Sequence, residues 1–129
     1  MLTPTIPIYR PRGKRPRRVP PPRRVTLTLV AAAFDSTLIR LDLTFDRPVN
    51  IAAMDVTKLV VDDSDNGNRY HGSGTPTLLT PAHVRVTMTA LFPIAAPVTL
   101  LTAGTPTGIV ADVDGGPWKG VMNLVLPFP

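Results

Sequence analysis

From residue 25 onward the chain repeatedly alternates apolar and polar positions with a period of two, the signature of strands that bury one face. The plainest case is residues 37–45, where Ile39, Leu41, Leu43 and Phe45 alternate with Arg40, Asp42 and Thr44. Residues 83–90 repeat it, with Val84, Val86, Met88 and Ala90 on one face and Arg85, Thr87 and Thr89 on the other. A first strand is predicted over 25–33, with Val25, Leu27 and Leu29 inward, and it ends at a turn formed by Phe34, Asp35 and Ser36. Further strands are predicted over 58–62, 98–102, 107–111 and 121–126. Residues 69–80 read as one or two short irregular strands around Tyr70 and Leu78.

Breaks fall where turn chemistry demands them. Asp46, Arg47 and Pro48 close the second strand, and residues 51–54 read as a short crossover or a single helical turn. Asn66 and Gly67, inside the acidic run 62–68, suit a hairpin because both tolerate positive φ. Seven or eight short strands with a turn every 8–12 residues predict an all-β antiparallel sandwich. The composition agrees: every acid is Asp and none is Glu, so helices lack one of their best formers.

Charge divides the chain in two. The first 24 residues hold eight of the fourteen basic side chains, seven of the sixteen prolines and no acid. The rest holds six basic residues and all nine acids, so the formal charge is +8 on the arm and −3 on the body. Residues 1–24 therefore read as a basic Pro/Arg-rich extended arm, and residues 25–129 as one domain of about 105 residues. No apolar run approaches the roughly 20 residues that span a bilayer, and no membrane partner is expected. Arg23 and Arg24 before an apolar stretch and three alanines imitate a secretion signal, but Thr26 and Thr28 at alternate positions fit a strand better.

Candidate chemistry is sparse. With no cysteine there is no disulfide or thiol nucleophile, and with two histidines and no Glu the usual catalytic groups are nearly missing, so no enzyme activity is expected. Asp62, Ser64, Asn66 and Gly67 partly match a calcium loop, yet the closing acid falls on Ser73; a solvated hairpin is expected, with no metal and no cofactor. His71 and Ser73 lack the Gly-x-Ser-x-Gly spacing of a nucleophile elbow. Trp118, in a Gly/Pro-rich loop, reads equally as a partner anchor or as a ring capping the end of the sandwich.

The runs LDLTFDRPVNI from Leu41 to Ile51, VVDD from Val60 to Asp63 and VRVTM from Val84 to Met88 resemble a bacterial immunoglobulin-like domain over roughly residues 27–126. That resemblance implies an immunoglobulin-like sandwich and an adhesive or structural module. Small sandwiches with extended arms also look like capsid, decoration and head–tail joining proteins of tailed-phage virions. The favoured expectation is a virion structural protein that forms homo-oligomers and contacts other virion proteins.

The partner-binding residues are then those of the arm: the apolar tip with Ile6, Ile8 and Tyr9, and the cations Arg10, Arg12, Lys14, Arg15, Arg17, Arg18, Arg23 and Arg24. The tip would add a strand or fill a groove, and the arginines would pair with acidic surfaces of a neighbouring copy. The alternative is a cytoplasmic nucleic-acid-binding protein whose arm meets phosphates, although Tyr9 is the arm's one aromatic for stacking.

Overall fold

Strands whose side chains alternate in and out need their inner face covered, and in the computed structural model, which describes residues 25–129, one sheet curls around that face. Its strands are β1 (Leu29–Asp35), β2 (Arg40–Phe45), β3 (Val49–Asn50), β4 (Leu59–Asp63), β5 (Asn68–Thr80), β6 (His83–Pro93), β7 (Leu100–Ala103), β8 (Val110–Ala111) and β9 (Val121–Val125). Seven of them form one antiparallel sheet in the order β1-β2-β6-β5-β4-β7-β9, and β3 and β8 form a small second ladder. The body is all-β, as the periodicity predicts. A single 3-10 turn, Val56–Lys58, leads into β4, and Asp55 caps it by accepting from the Thr57 amide.

The core is the set of inward positions. Leu41, Leu43 and Phe45 of β2, Leu59 and Val61 of β4, Val84, Val86 and Met88 of β6, and Leu101 and Ala103 of β7 are all buried. Each large apolar side chain so enclosed contributes about 1.5–3 kcal/mol. Trp118 belongs to this core: it is 4% exposed and meets Phe45 edge-on, with ring centroids 5.2 Å apart. Its backbone is pinned by its amide to the Ile109 carbonyl (2.9 Å) and by the buried Thr107 hydroxyl, which donates to the Trp118 carbonyl at 2.8 Å. Trp118 is a core side chain, and its ring is not free to anchor a partner.

Strict alternation fails where an extra residue enters a strand, because the slip moves later side chains to the other face. In β1, Leu29 pairs with Phe45 and Ala31 with Thr44, so Val30 is extra. Leu27 and Leu29 point inward before it and Ala32 after it, while Val25, expected inside, is exposed. The strand also runs on through Phe34 and Asp35, where a turn is expected; the turn starts at Ser36, two residues later. Ala90, expected on the inner face, is exposed beside a second slip, where Tyr70 pairs with Ala90 and Arg69 with Phe92.

Residues 69–80 form part of one long irregular strand rather than two short ones. Residues 51–54, expected as a short crossover or a single helical turn, form a turn closed by the Met54 amide on the Ile51 carbonyl (3.1 Å), and the 3-10 turn Val56–Lys58 follows it. Gly72 is required there, because a Cβ at that position would collide with the Val56 carbonyl of the turn packed against β5.

Seven antiparallel strands leave the outer two, β1 and β9, running the same way, so they cannot extend the antiparallel pattern to each other. The chain instead turns after β9, with the Leu126 amide on the Thr99 carbonyl at 2.8 Å, and brings Phe128 antiparallel to Ala32. The pair exchanges both bonds: Ala32 N–H to Phe128 at 2.9 Å and Phe128 N–H to Ala32 at 2.8 Å. The two edges of the curled sheet meet at this bridge.

All of the core named above lies at or beyond Leu27. Deleting residues 1–22 should therefore leave a cooperative, β-rich thermal transition followed by circular dichroism. A non-cooperative melt of that truncated chain would place part of the folding unit within the arm.

Candidate interaction surface

All eleven candidate partner-binding residues, Ile6 to Arg24, lie outside the described residues. What the described residues define is the surface that such an arm would meet. Its charges are largely arranged in internal pairs across the ladder. Asp42 lies opposite Arg85 on β2 and β6, and the two form a bidentate contact at 2.8 and 3.1 Å. Asp62 and Arg69 face each other across the β4–β5 hairpin at 2.5 and 2.9 Å. Each carboxylate raises the affinity of its guanidinium for the proton above the ordinary value, through the hydrogen bond first. Arg69 also lies over the Phe92 ring, 5.3 Å from its centroid.

The third arginine pair closes the place where the body begins. Arg47 reaches Asp46 at 3.3 Å and Asp114 at 3.4 Å, and it donates to the carbonyls of Val25 and Thr26. Three of the body's six basic side chains are thus neutralised by aspartates of the same domain. Pairs this exposed contribute little stability, about 0–1 kcal/mol each, and mainly fix orientation.

Asp35, Asp55, Asp63 and Asp114 hold turns. The amides of Leu38 and Thr37 keep the Asp35 carboxyl below the usual range, the Thr57 hydroxyl and amide do the same for Asp55, and the Gly116 amide and then Arg47 do it for Asp114. Asp63 is buried and accepts from the amides of Asp65 (3.0 Å) and Asn66 (3.2 Å) and from the Thr99 hydroxyl (3.4 Å). Gly67 takes the left-handed conformation, φ +65°, that lets β5 begin. The acidic run 62–68 is therefore a hairpin turn whose first two carboxylates are engaged by Arg69 and by backbone amides.

Nor does the geometry pair His71 with Ser73. The Ser73 hydroxyl lies 2.7 Å from the Thr89 hydroxyl and donates to the Thr87 carbonyl. Among the described residues no group of three His or Asp side chains is placed to hold a metal ion, and no helix is long and apolar enough to cross a membrane.

The feature that the alternation does not reveal is an apolar groove of about 690 Å³ between the β3 segment and the end of β5. Pro48, Ile51 and Ala52 form one wall, Leu78, Leu79 and Pro81 the other, and Asp112 lies at its rim. Leu78 and Leu79 are 41% and 42% exposed. Leu78 pairs with Val84 and Thr80 with His83, so Leu79 is an extra residue in the ladder, and the irregularity leaves both leucines partly exposed. Two adjacent leucines directly before the hairpin turn were the available signal, since a regular strand would have buried one of them.

The sequence matches no protein-family model and no curated protein, and the fold matches no solved structure. The reading of this surface therefore rests on its own chemistry.

The caps give a pH dependence of definite sign. Asp35, Asp55 and Asp114 have folded-state values below 3.8, so the stability they add is present above that value and is lost as the pH falls through the lower folded values. The melting temperature should be level from about pH 7 to pH 5 and fall below about pH 4, and replacing the three by Ala should make that fall shallower. An unchanged acid limb in the triple variant would contradict the capping roles.

Proposed function

We propose that this chain is a structural subunit of a large assembly, of the kind that builds a virion, in which the basic arm clamps neighbouring copies. The observation that carries the reading is the opposed charge of the two parts, +8 over residues 1–24 and −3 over the rest. Opposite charges on one chain attract copies to each other and set their orientation. In support, the body's polar side chains are used in ladder pairs and turn caps, which suits a scaffold.

The body is proposed to be immunoglobulin-like. The β3–β8 ladder, with Val49 and Ala111 buried, would serve as part of a second layer over the curled sheet. Partners are further copies of this chain and other proteins of the assembly, and the location is the virion.

The second reading, a nucleic-acid-binding protein, is favoured by the same eight arm cations, since arginine suits phosphate. The body adds little to it, because Arg47, Arg69 and Arg85 already face aspartates.

Replacing Ile6, Ile8 and Tyr9 together by Ser separates the two readings, because every charge stays in place. Sedimentation should show self-association severely weakened, while affinity for duplex or single-stranded nucleic acid is unaltered. Unchanged self-association of the triple variant would contradict the clamp. Nucleic-acid affinity that falls with log salt at a slope of about −0.7 to −0.9 per phosphate and vanishes on deletion of the arm would favour the second reading.

A further inference from the structure

We propose that the groove between the β3 segment and the end of β5 receives the apolar arm tip of a second copy of this chain. The inference rests on the clamp reading and goes beyond it by naming the receiving surface. Four observations support it.

The first is chemical fit. The groove walls are Pro48, Ile51, Leu78, Leu79 and Pro81, with two leucines more than 40% exposed. An exposed apolar cleft of about 690 Å³ is of the size that takes a peptide's side chains. Leu2, Ile6, Ile8 and Tyr9 are the apolar side chains that the first nine residues provide for it.

The second is charge. Asp112, at the groove's rim, is exposed and has no salt-bridge partner among the described residues. The cations that follow the tip, from Arg10 onward, would lie beside it.

The third is the route of the chain. The carbonyl of Val25 accepts from Arg47, the residue before Pro48, and the Pro48 carbonyl accepts from the Asp112 amide at 2.9 Å. The body thus begins beside the groove that its own arm would have to reach.

The fourth is reach, which allows the tip to arrive at a second copy, the occupant that the clamp reading requires. Fifteen residues, five of them proline, separate Tyr9 from Val25. They span up to roughly 50 Å, well beyond a body whose radius of gyration is near ~13 Å. Pro20, Pro21 and Pro22, close to the start of the body, favour an extended exit of the arm from its own domain. Running outward places the tip on a neighbour. The two prolines within the tip, Pro4 and Pro7, cannot donate to a ladder, so the tip fits a side-chain groove better than it fits an inserted strand.

The test uses the full-length chain with a photoreactive Tyr9→p-benzoylphenylalanine substitution, mixed with an isotopically heavy copy, irradiated and mapped by mass spectrometry. Cross-links from light to heavy chains should fall on residues 48–52 and 78–81. Their yield should drop about tenfold or more when the heavy chain carries L78D and L79D, the size of effect expected on removing a buried anchor. If circular dichroism shows that double variant to be unfolded, Leu79→Ser replaces it and should lower the same cross-links.

Cross-links confined to the same chain would overturn the exchange between copies. Cross-links between copies on another surface would overturn this groove while leaving the clamp standing. A monomer in sedimentation with no cross-links between copies would overturn both.

Discussion

The body depends on curling one antiparallel sheet until its inner face is enclosed and its edges meet. Seven strands in a single ladder would otherwise expose two unpaired edges, which invite pairing with other chains. The constraint is sharpened by parity, because an odd number of antiparallel strands leaves the outer two parallel. The turn after β9 resolves it by reversing the chain so that Phe128 meets Ala32 in the antiparallel sense. Leu126 and Phe128 then pack against the same core as Leu27 and Leu29. The close approach of Phe45 to Trp118 goes with a loop held by the Thr107 hydroxyl on the Trp118 carbonyl and by the Leu27 amide on the Pro117 carbonyl at 3.0 Å.

Much of this was legible in the sequence where the period of two is unbroken. The inner faces of β2, β4 and β6 follow directly from Leu41, Leu43 and Phe45, from Leu59 and Val61, and from Val84, Val86 and Met88. What was not legible is the set of extra residues that shift parity. Val30, Leu79 and Leu91 are ordinary strand formers, and nothing in their chemistry marks them as bulged. Asn123, with φ +51°, plays a similar part in β9, where Val121 and Leu124 turn toward the core and Met122 is 80% exposed. Local pattern cannot identify such positions, because a bulge is fixed by the length of the partner strand.

The same division holds for the surface. The Asp62–Arg69 pair was not legible, because a two-residue turn at Asn66 and Gly67 would set Asp62 opposite His71, whereas the observed turn spans residues 64–67 and sets Asp62 opposite Arg69; Asp42 and Arg85 were visible as outward residues of strands that turn out to be neighbours. Of the groove only the adjacent Leu78 and Leu79 were a signal, since its walls come from segments about thirty residues apart whose meeting depends on the Val49 amide reaching the Pro81 carbonyl at 2.9 Å. Charge separation along the chain was the strongest functional signal, and it remains the basis of the assembly reading. The body carries a net charge of −3 and an apolar groove with Asp112 beside it, and an arm rich in arginine with an apolar tip complements both.

The measurement that tests the closure most directly is native-state hydrogen exchange at the amides of Ala32 and Phe128. Both should exchange only through global unfolding, with protection equal to that of the central β6 amides. Fast exchange at these two positions while β6 stays protected would show that the edges do not meet, and would contradict the closed body on which this account is built.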